Sequence, residues 1–260
     1  TGMSDCVSTD TFFDLSVTDP VCSDATFAKV GAFEFSDNQI TDYAIADFNN
    51  DGIQDLVVST SSTSLYVRLG KGDGTFSEGA SIIVNDNNWI LNTRFAVADF
   101  NGDGNQDIAT VEGEHISMYL GNGKGSFDLT SQRKVPNLIN FSKVAETSDF
   151  NKDGKLDLLV LTSDDVTSNM SFFYGDGRGG FNDQIDVGVA EARLTSFATV
   201  EIKDFDGDGN NDIALRGYYN TFITLYFGDG LGGFGRTNKM LSDDIIASLN
   251  SADINNDGLV

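Results

Sequence analysis

The chain has 260 residues and a formal net charge of −24, with 28 glycines, 20 phenylalanines and only 2 prolines. Such an acidic excess argues against nucleic acid or an anionic membrane surface as a partner, and no apolar run is long enough to span a bilayer as a helix. No signal peptide is recognisable, so an exported form is expected to have lost its own already.

Residues 1–24 hold both cysteines, Cys6 and Cys22. A disulfide between them would staple a short N-terminal segment and suit an oxidising compartment, whereas two idle thiols are the other reading, because pairing is not observable from sequence. At residue 25 the character of the chain changes. Thr26 and Phe27 read as the end of a glycine hairpin, and the run to Phe35 as a lone strand. A full unit follows: an apolar run at 43–46, an acidic loop at 47–55, a second apolar run at 56–58, a strand at 65–68, and a glycine-rich hairpin closed by Phe76. The acidic loop returns at 99–107, 149–157 and 204–212 and starts again at Asp253, with leading residues 52, 50, 55 and 49 positions apart. The glycine hairpin returns at 121–127, 175–181 and 228–234. Repetition at this period means stacked or radially arranged supersecondary units.

Each acidic loop places oxygen-bearing side chains at positions 1, 3, 5 and 9 around a glycine at position 6, a pattern able to wrap a hard cation such as calcium. The first set is Asp47, Asn49, Asp51 and Asp55, with the carbonyl of Ile53 at position 7 as backbone ligand. The others are Asp99, Asn101, Asp103 and Asp107 with Asn105; Asp149, Asn151, Asp153 and Asp157 with Lys155; and Asp204, Asp206, Asp208 and Asp212 with Asn210. A fifth loop offers Asp253, Asn255 and Asp257 and lacks position 9. An EF-hand needs a bidentate Glu at position 12, where this chain has Val58, Thr110, Val160 and Leu215. The EF-hand reading fails. Hairpin turns held by Asx chemistry and never loaded with metal are the plainer alternative. Phosphate cradling by the glycine hairpins would need a helix N-terminus after them, and another strand follows instead.

One period therefore contains four strands, A to D, with the acidic loop between A and B and the glycine hairpin between C and D. Four antiparallel strands per repeat are the pattern of a β-propeller blade. The paired elements resemble FG-GAP (VCBS-type) repeats, found in integrin α-subunit heads, some fungal lectins and many secreted bacterial proteins. The resemblance covers residues 25–260. It implies an all-β propeller, commonly seven-bladed in that family, with calcium held in the acidic loops on one face. Four complete blade equivalents with partial blades at both ends predict a piece of a longer ring, since an open arc would expose strand edges.

His115 is the only histidine, next to Glu112 and Glu114, and no Gly-x-Ser-x-Gly motif or distinguishable carboxylate pair is present. The chain is therefore expected not to be an enzyme. Strand alternation puts the A–B and C–D connections on one face and the B–C and D–A connections on the other. The irregular stretches lie on that second face, with Trp89, Tyr218 and Tyr219 as aromatics able to stack on a sugar or anchor a protein. The sequence thus points to a secreted or cell-surface, calcium-stabilised binding or adhesion module. Its partner would be an extracellular protein or a glycan. A lectin-like propeller, alone or attached to a polysaccharide-active enzyme, and a self-associating subunit of a surface or filament assembly are the rival readings. Charge count ranks the 204–212 loop, with four acids, as the tightest site and the 149–157 loop, with Lys152 and Lys155, as the weakest.

Overall fold

The computed structural model describes residues 40–60, 64–84, 93–112, 114–135, 142–163, 168–188, 199–217, 221–244, 246 and 249–253. All of them belong to one compact unit, Phe35–Val260. The N-terminal segment with Cys6 and Cys22, the lone strand ending at Phe35, Trp89, Tyr218, Tyr219, Asn255 and Asp257 lie outside the described residues.

Among the described residues there are sixteen strands and no helix. The first blade consists of β1 (Ile40–Ala46), β2 (Asp55–Thr60), β3 (Ser64–Gly70) and β4 (Phe76–Ile83). The second has β5 (Arg94–Ala98), β6 (Asp107–Glu112), β7 (His115–Gly121) and β8 (Phe127–Lys134). The third has β9 (Ser142–Ser148), β10 (Asp157–Ser163), β11 (Ser168–Gly175) and β12 (Phe181–Gly188). The fourth has β13 (Thr199–Lys203), β14 (Asp212–Arg216), β15 (Phe222–Phe227) and β16 (Arg236–Leu241). Each set forms a four-stranded antiparallel sheet in chain order. β1 neighbours β5, β5 neighbours β9 and β9 neighbours β13, so the first strand of each blade is the innermost. This is a β-propeller built from meander blades.

The period-2 alternation of strands explains why the second strand of a blade reads as an unbroken apolar run. In β6, Ile108 packs toward the first blade, while Ala109 and Val111 pack toward the third. In β10, Leu158 and Val160 face the second blade, and Leu159 and Leu161 face the fourth. Both faces of these sheets are buried, and β6 and β14 are buried along their whole length. The outermost strand needs no such pattern. β16 is exposed throughout and β8 almost throughout, and both are mostly polar or charged, with Leu129, Met240 and Leu241 as exposed apolar exceptions.

Phenylalanines stitch the blades together. The Phe after each loop's leading Asp meets the Phe closing the glycine hairpin of the next blade. Phe48 meets Phe127 at 5.5 Å, Phe100 meets Phe181 at 5.7 Å, and Phe150 meets Phe234 at 6.0 Å, all edge-to-face. Such contacts add to the area already buried. The closing phenylalanine is therefore a plug between blades.

Candidate metal-binding loops

Each acidic loop folds around its first carboxylate. Asp47 accepts from the Asp51 amide at 3.2 Å through Oδ1 and from the Gly52 amide at 2.8 Å through Oδ2. The same pair of bonds recurs from Asp103 and Gly104 to Asp99, from Asp153 and Gly154 to Asp149, and from Asp208 and Gly209 to Asp204. The position-5 carboxylate accepts from the position-7 amide, as Asp51 does from Ile53, Asp103 from Asn105, Asp153 from Lys155 and Asp208 from Asn210. Position 3 completes the curl. The side chains of Asn49, Asn101, Asn151 and Asp206 accept from the amide two residues on.

The turn requires left-handed backbone at position 6, where Gly52, Gly104, Gly154 and Gly209 have φ of 82°, 86°, 83° and 83°. Position 4 is left-handed as well, with Gly102, Gly207 and two non-glycines, Asn50 and Lys152, both at φ 57°. Sequence reading overlooked position 4, although glycine in two of the four copies signals it.

The donor set is carboxylate and amide oxygen only, the choice of a hard cation. In the fourth loop Asp204, Asp206 and Asp208 bring carboxylate oxygens within 4.8 Å of one another. Asp206 and Asp208 are exposed and Asp204 is half-buried, so a cation could enter from solvent. Three acids this close repel one another unless a cation neutralises them. The residues fit a bound calcium ion.

The position-9 acids stand apart from that group. Asp55, Asp107, Asp157 and Asp212 are all 0% exposed. One oxygen of each accepts from the position-2 amide of its loop, belonging to Phe48, Phe100, Phe150 or Phe205. The other accepts from the glycine that opens the C–D hairpin, Gly70, Gly121, Gly175 or Gly228, at 2.8–2.9 Å. Each thus ties the acidic loop to the glycine hairpin. Burial pushes Asp107 and Asp157 up to about 6 and raises Asp212 too. The two amides counter that rise, and the acids of the same loop add to it.

Cations stand where sequence distance did not put them. Lys155 pairs with Asp153 at 3.2 Å within the third loop. Lys152 leans onto the fourth loop instead of its own, with Nζ 3.7 Å from where a methyl on Gly209 would stand. Arg236 pairs with Asp206. Among the described residues no ion pair reaches the loops at 47–55 and 99–107. Arg236 and Lys152 thus set two cations against the extra acid of the 204–212 loop, while Lys155 alone stands against the 149–157 loop. Asp253 is half-buried near the end of the described chain.

A second cluster lies on the innermost strands. Arg94 reaches Asp42 at 3.6 Å and donates to the Thr41 carbonyl at 2.6 Å. Glu201 accepts from Ser251 at 3.0 Å. Glu146 is pushed up to about 7, first by the protein crowding it and then by the charges of Asp42 and Glu201. Its side chain nonetheless remains open to solvent. The acidic residues in otherwise apolar first strands were the sequence signal for this group. Glu112, opposite His115 in the β6–β7 pairing, is buried, and Glu114 pairs with Lys134 at 2.8 Å.

Comparison with solved structures agrees with the fold. An Agrocybe aegerita lectin, described for specific recognition of non-reducing terminal N-acetylglucosamine, aligns with a TM-score of 0.54 at 23% identity, over 76% of this chain and 51% of its own. BBS1N, solved in complex with ARL6DN, aligns with a TM-score of 0.50 at 13% identity, over 80% of this chain and 59% of its own. The chain thus spans about half the length of the lectin and less than two thirds of BBS1N. No curated protein matches the sequence. The FG-GAP-like repeat pattern matches three times, over residues 47–110, 99–160 and 149–215. With loops, hairpins and blades in register with those matches, the chain belongs to the FG-GAP-like repeat family.

Proposed function

We propose that this propeller is a calcium-stabilised binding module that acts outside the cell and performs no catalysis. One observation carries the reading: four loops repeat the same oxygen-only curl, and in the fourth three carboxylates converge within 4.8 Å with two of them exposed to solvent. Sites of two to four acids on a solvent-facing loop suit the calcium levels found outside cells, where modules bind at roughly 10⁻⁴–10⁻³ M. The ligand would dock on the face opposite the acidic loops, where the B–C and D–A connections gather. Irregular loops on a rigid scaffold are the usual seat of recognition.

A glycan is the favoured ligand class, because the fold is shared with a lectin whose described ligand is terminal N-acetylglucosamine. A glycan array probed with the full chain, in calcium and in EGTA, tests this. Binding to glycans, terminal N-acetylglucosamine first among them, that persists in EGTA while the fold is intact supports the reading. Silence on the array together with concentration-dependent self-association would favour an assembly subunit instead.

A further inference from the structure

We propose that Arg236 sets the calcium affinity of the fourth loop, as a built-in counter-ion that an incoming cation must displace from Asp206. This inference rests on the calcium reading of the loops. The fourth loop alone has an acid at position 3, where the others carry Asn49, Asn101 and Asn151. Among the four complete blades, it also belongs to the one with a cation two residues past the closing phenylalanine. The matching positions are Glu78, Leu129 and Asp183. The extra negative charge and the positive charge that neutralises it therefore occur together.

The geometry gives the pairing a consequence. Asp206 Oδ1 accepts from the Asp208 amide at 3.2 Å, while Oδ2 is the oxygen turned to the arginine. Arg236 Nη2 bonds that oxygen. Its guanidinium carbon stands 3.9 Å from the centroid of the Phe227 ring, which holds the arginine in place on the outermost hairpin. The Arg236 side chain is 62% exposed, so it can swing into solvent when a cation takes Asp206. A divalent ion entering the cluster meets this charge and that of Lys152 together, and the acid count overstates the pull of the loop.

Calcium titration of the full chain followed by ¹⁵N–¹H spectra tests the idea loop by loop. The amides of Gly52, Gly104, Gly154 and Gly209 each donate to the leading Asp of their own loop at 2.8–2.9 Å, so each reports its own site. In Arg236→Gln the Gly209 midpoint should fall roughly three- to tenfold, while the other three glycines keep theirs. Arg236→Met, which keeps the packing on Phe227, should behave alike. In an Asp206→Asn background the Arg236→Gln change should move Gly209 less than about twofold, since the pair is already gone. If all four glycines respond in wild type and Gly209 keeps its midpoint in both Arg236 variants, the counter-ion role is overturned while the calcium reading stands. If no glycine responds in wild type, the calcium reading falls and this inference falls with it.

Discussion

Truncating Phe150 to alanine tests whether the phenylalanine contacts hold one blade to the next. Phe150 is 1% exposed and sits edge-on to Phe172 at 5.1 Å and to Phe234 at 6.0 Å, while those two rings stack at 4.7 Å. Removing a buried phenylalanine side chain costs roughly 3–5 kcal/mol from lost burial and the residual cavity. The aromatic pairs lost with it push the value toward the upper end, at about 0.5–1.5 kcal/mol per pair. Collapse cannot fill the gap cheaply, because the Phe150 amide is held to Asp157 at 3.0 Å and fixes the backbone there. Phe205 occupies the same loop position in the fourth blade but is only half-buried, so its truncation should cost about 1 kcal/mol. Urea unfolding of both variants in EGTA, followed by circular dichroism, compares the two without a metal contribution. Phe150→Ala is expected to lose several times more stability than Phe205→Ala. Equal losses would show that the seam between blades does not depend on these rings.

Three further outcomes are expected. Excess calcium should raise the melting temperature above its value in EGTA, since a site filled to 100 times its Kd adds about 2.7 kcal/mol to the native state; an unchanged temperature overturns the calcium reading. Gly175→Ala should abolish soluble folded protein, because its Cβ would lie 2.1 Å from the Leu156 carbonyl oxygen. Gly154→Ala, at φ 83° with nothing within 4 Å, should cost only about 1 kcal/mol; soluble yield and thermal melts rank the two, and the reverse order would contradict the close approach of the hairpin. Glu146 titrates near 7 in the folded chain against an ordinary value of 4.5, so the native state holds a proton there that the unfolded chain has lost. The contribution of Glu146 to stability thus grows as pH falls from about 7 toward 4.5, and its ionised form is a cost above 7. Glu146→Gln should stabilise the protein at pH 8 by under about 1 kcal/mol, its solvent exposure muting the effect, and change little near pH 5. Destabilisation at pH 8 would show that the charges of the inner strands do not repel as placed.

Most of the architecture was legible because a propeller buries its middle strands on both faces. Leu158 to Leu161 must all be apolar if alternate residues serve two different cores, and such a run is conspicuous between Asp and Gly clusters. The exposed β16 carries no such demand, and its presence followed from counting strands in a period rather than from its own residues. The loop ligands were legible by spacing, since a curl of nine residues needs its oxygens at fixed intervals. What escaped sequence reading depends on neighbours distant in the chain. That Lys152 reaches the next blade's loop is a matter of how two loops sit side by side. That Asp55 serves Gly70 as well as Phe48 appears only once the two connections share an end of the sheet. Glu146 and Glu201 meet only because the innermost strands converge.

The two kinds of acid in each repeat have opposite requirements, and this bears on what calcium does for the protein. The position-9 carboxylate is fully buried, and each of its oxygens takes a backbone amide, so it ties the two connections at that end with no ion present. The carboxylates at positions 1, 3 and 5 organise the loop, and among them only Asp206, through Arg236, is shown bonded to a strand of the sheets. The apolar clusters and phenylalanine contacts are likewise independent of metal. Calcium would then act as a clamp on preformed loops, unlike a structural zinc whose removal unfolds its domain. On the proposed reading the ligand face lies at the far end of the same strands, so no calcium oxygen reaches the ligand. Binding there should depend on calcium only through the stability of the blades, and it should persist in EGTA below the melting temperature. Ligand affinity that vanishes in EGTA while the fold remains intact would instead place the ligand on the acidic loops themselves.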